Sequence, residues 1–392
     1  MRAEDLKNRY NELFGGDPRI FRAPGRTNLI GEHTDYNEGF VMPAAIEFQA
    51  WVAVGRRDLD DRRVVVHSHE WNETVDFSLD ETDSSPRHSW SDYIRGVAIQ
   101  LQLAGYKIHG SNLLIYSDVP IGAGLSSSAA LEVAGALALI WSGTPSTESE
   151  KFDRVQLPKL CQRAENETVG ARCGIMDQFA SVNGRAGHAL LLDCRSLDFE
   201  LLHLPPDLSL VLCNTMVPHR NVSGEYNLRR AQCEQGARYF AERIPGVLAL
   251  RDVSREQLEK YRQDLDDMIF RRCRHVITEN GRTLEAAKAL EVGNGQRFGE
   301  LMYESHRSLK NDYEVSCAEL DVMVDLASNF PGVYGARMTG GGFGGCTINL
   351  VSKPRVSEFT ANISKMYKIK TGIESQIYVT GAADGAGPVT GD

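Results

Sequence analysis

The chain has no excess of positive charge, no long unbroken apolar run and no paired cysteines, and each absence removes a class of function. Its 43 lysines and arginines face 53 aspartates and glutamates, a net charge of −10. A nucleic-acid binder needs a basic face for the phosphates, so nucleic acid is excluded as the main partner, although a small anion in a local pocket is not. The longest apolar run, residues 129–141, is broken by Glu132 and falls short of the ~20 residues that cross a bilayer. Residues 1–14 set Leu6, Tyr10, Leu13 and Phe14 among charges, an amphipathic surface helix without the apolar centre of a signal peptide. No membrane partner is expected. The eight cysteines lie far apart with no Cys-x-x-Cys pair, which suggests neither a zinc site nor a disulfide frame. Reduced core thiols fit a cytoplasmic location.

What is present fits a globular protein larger than one ordinary core. At 392 residues two domains are expected. Short β-like runs at 48–54, 63–68, 112–117 and 189–193 mix irregularly with helical stretches at 90–104, 129–141 and 157–169. That order predicts an α+β protein with mixed sheets, not a regularly alternating parallel sheet. A further strand is expected at 208–214, after Pro205-Pro206. From 223 to 326 the pattern is helical, for example over 225–243, 281–290 and 295–308, and strands return at 346–351 and 376–380. The domains are expected to cover 1–200 and 201–392, divided within 195–206. The Gly-, Ala- and Pro-rich tail after Gly381 is expected to be mobile at its end.

Residues 24–37 read Pro-Gly-Arg-Thr-Asn-Leu-Ile-Gly-Glu-His-Thr-Asp-Tyr-Asn. Arg26, Glu32, His33 and Asp35 stand among turn formers with neither strand alternation nor helical spacing, so the segment reads as a loop ending a short strand. A generic cluster of this kind is more often a solvated turn than a site. Glu, His and Asp together nevertheless supply the acceptors and donor that a hydroxyl-covered ligand requires.

Residues 112–130 read as a strand, a turn rich in glycine and serine, and an apolar helix. Gly122 and Gly124 let the backbone curl, and Ser126, Ser127 and Ser128 stand at the helix start, where converging N–H groups attract anions. The Lys-Ser/Thr ending of a P-loop is missing, as are the strings of protein kinases. Further on, Glu165 and Asp177 lie twelve residues apart, and 338–346 holds five glycines in nine residues. Such glycine density allows close backbone approach to a ligand.

The string 24–37 resembles the signature of the galactokinases, part of a small-molecule kinase family that includes homoserine, mevalonate and phosphomevalonate kinases. Family members look alike in a substrate segment, a Gly/Ser-rich phosphate loop and a C-terminal Gly-rich segment; here these are 26–37, 120–130 and 338–346. The resemblance implies a two-domain fold with the active site in the interdomain cleft. It implies Mg2+-dependent transfer of a phosphoryl group from ATP to the C1 hydroxyl of α-D-galactose, by a monomer. In Cys-Gly-Ile-Met-Asp-Gln, residues 173–178, it makes Asp177 the base facing the sugar, with Arg26 the cation beside it. Glu32, His33, Asp35, Gly174, Tyr226 and Gly341 are implied sugar contacts. Gly122, Gly124, Leu125, Ser126, Ser127 and Ser128 match the phosphate loop, Trp90 and Tyr93 the adenine pocket, and Ser128 and Glu165 the magnesium ligands. The Ser128-Ala129 step, absent from related sensor proteins that have lost activity, is intact. One departure is Pro218, where many relatives carry a basic residue. Kinases of N-acetylgalactosamine, arabinose or galacturonate remain open at this stage, as does a regulator that binds galactose and ATP without turnover.

Overall fold

The computed structural model describes residues 2–58, 60–143, 152–217 and 222–389. Helix α1 (Ala3–Phe14) is followed by strands β1 (Arg19–Asn28), β2 (Phe40–Val41), β3 (Pro43–Arg56), β4 (Arg63–Ser68) and β5 (Glu73–Ser78). Then come α2 (Asp92–Leu103), β6 (Ser111–Ser117), α3 (Ser127–Gly143), α4 (Gln156–Ala164) and α5 (Met176–Asn183). Strands β7 (His188–Asp193), β8 (Phe199–His203) and β9 (Leu208–Asn214) lead into helices α6 (Val222–Ala241), α7 (Arg255–Lys260), α8 (Asp267–Glu291), α9 (Gly295–Ser308) and α10 (Ala318–Ser328). The chain closes with β10 (Val333–Met338), β11 (Cys346–Ser352), α11 (Val356–Thr371), β12 (Gln376–Thr380) and β13 (Gly387–Pro388).

The first half is built on a six-stranded sheet in the order β13-β1-β3-β6-β4-β5, antiparallel except where β4 runs parallel to β6. Its strands alternate between two buried faces, as a period of two requires. Ile20, Ala53 and Leu114 pack on Leu6 and Tyr10 of α1, while their neighbours Phe21, Val52 and Leu113 face the main core. Helix α3 is apolar on nearly every side and lies in that core against α2 and α4. Its one acidic residue, Glu132, is fully buried. A small sheet, β2-β7-β8, covers α5. In the second half an antiparallel sheet, β10-β11-β9-β12, buries Val211, Cys213 and Ala336 against Phe359, Ile363 and Tyr367 of α11. Its other face joins the main core through α9.

This is the mixed α+β architecture expected, with differences in detail. The segment read as loop is half strand: β1 runs to Asn28 and carries Arg26 within the sheet. From Ala23 onward β1 shows no alternation because both of its faces are buried. A register shift at Pro24/Arg26 marks a bulge there. The helix expected to reach 169 ends at Ala164, and one wide i→i+5 turn over Glu165–Val169 replaces its last stretch. The helix expected over 90–104 begins at Asp92, so Trp90 precedes α2. The tail is anchored as far as Val389, because β13 pairs with β1 and Gly385 and Ala386 donate to Gly184 and Ser181; its end at 390–392, expected to be mobile, lies outside the described residues.

Candidate active site

Four segments converge on one cavity of about 370 Å³: the end of β1 with the loop after it, the turn before α5, the start of α6, and the Gly-rich loop between β10 and β11. All seven residues expected to face the sugar line it, namely Glu32, His33, Asp35, Gly174, Asp177, Tyr226 and Gly341, and so does Arg26, the expected cation beside Asp177.

At its floor the Arg26 guanidinium grips Asp177 with two parallel bonds of 2.7 Å, and its third nitrogen donates to the Gly124 carbonyl at 2.6 Å. Such fork-to-carboxylate pairs fix geometry as well as charge. Ser126 also donates to Asp177. Three of the carboxylate's roughly four acceptor directions are therefore taken, leaving about one for a substrate hydroxyl. The Asp177 side chain remains 25 % exposed while Arg26 is sealed beneath it, so the carboxylate faces the cavity.

Glu32 is buried and paired at 2.7 Å with Arg337, which is itself fully buried. Burial pushes the Glu32 carboxyl above its usual range, and the Arg337 and Arg26 charges pull it back. His33 adopts a left-handed φ of 63°. Burial first, then repulsion from His275 when protonated and from the Arg229 and Arg337 charges, depress its pKa well below 6.5, so the ring is neutral. Asp35 is raised to about 7, chiefly by burial and next by the Asp177 charge. Gly174 lies so close to Asp35 that a Cβ there would come within 1.9 Å of its carboxylate. The Tyr226 ring packs on those of His33 and Tyr36, at centroid distances of 5.7 and 5.1 Å.

A second, apolar cavity of about 160 Å³ lies at the start of α3 and collects Trp90, Tyr93, Ser127 and Ser128. Trp71 joins them, its ring 5.5 Å from that of Trp90. Gly122 and Gly124 take φ values of 71° and 75°, which let the loop curl between the two cavities. Leu125 contributes only backbone: its side chain is buried in the core while its carbonyl accepts from the Arg26 N–H at 3.0 Å. Ser126, grouped with the phosphate loop in the sequence, points its hydroxyl at Asp177.

Near Ser128 lies Glu165, whose carboxyl the Ser128 hydroxyl helps hold down and which accepts from the Gln178 amide at 2.6 Å; the same amide reaches Glu132 at 3.0 Å. Burial and the Asp177 charge raise Glu165; burial and Glu165 raise Glu132 further. No group of three His, Cys, Asp or Glu side chains converges as metal ligands among the described residues. A hydroxyl near a carboxylate that has no cationic partner among the described residues is still the donor set magnesium uses, because it keeps waters and takes its remaining ligands from phosphates.

Arg337 was not singled out from the sequence, although a charge between Ala336 and Met338, just before the Gly-rich loop, was the available signal. Arg172 and Asn227 also line the larger cavity. Pro218 lies outside the described residues. Among those residues no helix is long and apolar enough to cross a membrane.

Three family models match the chain: the galactokinase galactose-binding signature over residues 8–56, the GHMP kinases N terminal domain over 92–185, and the GHMP kinases C terminal over 286–369. A galactokinase from Roseiflexus sp. (strain RS-1) is 45% identical over 98% of this chain and 97% of its own length. The crystal structure of Lactococcus lactis galactokinase complexed with galactose superposes with a TM-score of 0.91 at 36% identity, covering 98% of each chain. A mevalonate kinase from Methanococcus jannaschii, 18% identical, shares the fold with a TM-score of 0.64 over 94% of this chain and 99% of its own. Sequence and structure together place the chain in the galactokinase family of the GHMP kinases.

Proposed function

We infer that this member of the family is itself a galactokinase, which moves the γ-phosphoryl group of ATP onto the C1 hydroxyl of α-D-galactose to give ADP and galactose 1-phosphate. The observation that carries this reading is the Arg26–Asp177 fork at the floor of the larger cavity, bonded through Gly124 and Ser126 to the loop that leads into α3. Phosphoryl transfer proceeds through a loose transition state, so positioning and charge neutralisation supply most of the catalysis.

In this mechanism galactose occupies the larger cavity with its anomeric hydroxyl on Asp177. The free acceptor direction of that carboxylate takes the hydroxyl proton as the oxygen attacks phosphorus. Arg26 stays beside the reacting atoms and offsets charge on the transferring group. Glu32, His33, Asp35, Tyr226 and the Gly174 and Gly341 backbone surround the far side of the sugar. An epimer that leaves those buried groups unpaired is rejected strongly. ATP places its adenine among Trp71, Trp90 and Tyr93 and its phosphates along Gly122–Ser128. Ser128 and Glu165 would hold magnesium, which neutralises phosphate charge when bound. We place the division between the two domains at Pro205-Pro206, after β8, because β8 (199–203) remains paired with β7 beyond residue 200.

A coupled ADP-release assay over a panel of monosaccharides tests the reading. Galactose should be fastest by a wide margin, and Asp177→Asn should lower kcat by about 10²–10⁴-fold with the fold intact, the usual contribution of a general base. A variant keeping most of its rate removes Asp177 from that role. Absent ADP formation with normal sugar and ATP binding would make the protein a regulator instead.

A further inference from the structure

His33 lines the sugar cavity, and its ring nitrogen Nε2 is buried with no hydrogen-bond partner among the described residues. A neutral imidazole carries one N–H, and the bond made by the other nitrogen decides where that proton resides. Here Nδ1 lies 2.8 Å from the Tyr36 hydroxyl, which lies 2.8 Å from the Tyr313 hydroxyl. Tyr313 in turn meets the Cys233 sulfur at 3.1 Å. Tyr313 and Cys233 are almost wholly buried, and His33 packs on the Tyr313 ring at a centroid distance of 4.8 Å, so the chain of contacts is part of the core. The Asn37 amide donates to the His33 carbonyl at 2.9 Å and supports the left-handed backbone that aims the ring.

Protons can run along this chain in either direction, with three hydrogen bonds each way. If Nδ1–H donates to Tyr36, the series ends with the Tyr313 phenol on sulfur, a weak acceptor. If the Cys233 thiol donates to Tyr313, each phenol donates onward and the imidazole nitrogen, the best acceptor present, receives a phenol O–H. The second direction spends the weak S–H donor at the far end and makes the stronger bonds. We propose that Cys233, Tyr313 and Tyr36 form a directional relay that holds His33 in its Nε2–H tautomer, making it an obligate hydrogen-bond donor to a sugar hydroxyl. Tyr36 and Tyr313 are then positioning residues that set specificity from behind the pocket. The inference rests on the sugar-kinase reading of the cavity.

The test is ¹⁵N NMR of the full chain carrying labelled histidine, with His33 assigned by the signal lost in His33→Gln. The expected result is a protonated Nε2 and an unprotonated Nδ1. In Tyr36→Phe, shown folded by its melting curve, those two signals should shift. The KM for galactose should rise about tenfold, the value of roughly one hydrogen bond, with kcat and the KM for ATP nearly unchanged. Tyr313→Phe should have a smaller effect in the same direction, and serves alone if Tyr36→Phe does not fold. A proton on Nδ1 in the parent overturns the relay, and so do a tautomer and KM indifferent to both substitutions. A parent without sugar turnover would instead remove the kinase reading, while the tautomer would still be read from the spectrum.

Discussion

Replacing Gly174 by alanine should separate sugar binding from catalysis. The added Cβ would lie 1.9 Å from the Asp35 carboxylate oxygen and 2.3 Å from its carbon, about 1.5 Å inside the 3.4 Å at which ordinary contact begins. The backbone itself accepts alanine, since Gly174 is not among the positive-φ glycines. The whole effect therefore falls on Asp35, which must swing out of the cavity. A carboxylate displaced by that much loses its hydrogen bonds to substrate, worth about 1.5–3 kcal/mol when one partner is charged. The KM for galactose should accordingly rise by about 10–100-fold. Arg26 and Asp177 belong to β1 and the first turn of α5, away from the clash, so kcat should fall far less and the KM for ATP should hold. Steady-state kinetics with each substrate varied in turn measures the split. Placing Gly174→Ala in an Asp35→Ala background should cost much less, because the two atoms it strikes hardest are gone and only the residue 35 Cβ, at 2.9 Å, remains. Equal losses in the two backgrounds, or an unchanged KM for galactose, would refute this account of Gly174.

Two further outcomes follow from the charges around the cavity. Arg337→Met strands Glu32 in a buried site without its cation, which should cost about 3–5 kcal/mol in urea unfolding; adding Glu32→Gln should recover part of that, and an unchanged midpoint would count against the pair. Asp35 holds its proton in the folded protein up to about pH 7, whereas the unfolded chain releases it near pH 4. The stability contributed by its raised pKa is thus present below about pH 4 and lost as pH rises through 7. Asp35→Asn cannot ionise, so without sugar it should melt above the parent at pH 8, by about 2 kcal/mol after allowance for partial exposure, with the gap closing toward pH 4. A parent as stable as the variant at pH 8 would argue that Asp35 titrates normally.

Legibility in the sequence followed how simply each element is buried. Strands 208–214 and 376–380 and helix 295–308 stand where periodicity set them, with Pro205-Pro206 ahead of the first and an Asn294 cap opening the helix. Helix α8 was read only over 281–290 although it begins at Asp267. Its buried face carries Arg272, His275, Glu279 and Asn280, held by hydrogen bonds to Gln232, Ser308, Ser305 and the Phe40 N–H, so the apolar period fades where the helix is most enclosed. The site was legible as a cluster of chemistry on one loop and as a resemblance. Arg26 meeting Asp177 across 151 positions, or Arg337 meeting Glu32 across 305, has no local signal at all.

Those long-range pairs also bear on how the site moves. The end of β10 is clamped to the end of β1: Arg337 donates to the Asn28 carbonyl at 2.8 Å, and the Thr339 hydroxyl accepts from the Asn28 N–H at 3.1 Å. Both contacts are buried, and the Glu32–Arg337 pair lies beside them. The two halves of the chain are therefore tied directly beneath the sugar cavity. A motion that admitted substrate by parting them there would expose a buried ion pair and several backbone groups at once, each costly to leave unpaired. Opening must come from segments with fewer such ties. The Gly-rich loop over 340–345 is not one of them: the Phe343 N–H donates to the Val315 carbonyl at 2.7 Å, the Thr215 N–H and hydroxyl both donate to the Gly345 carbonyl at 2.9 Å, and Gly340 rests against the Gly124 backbone of the opposing loop.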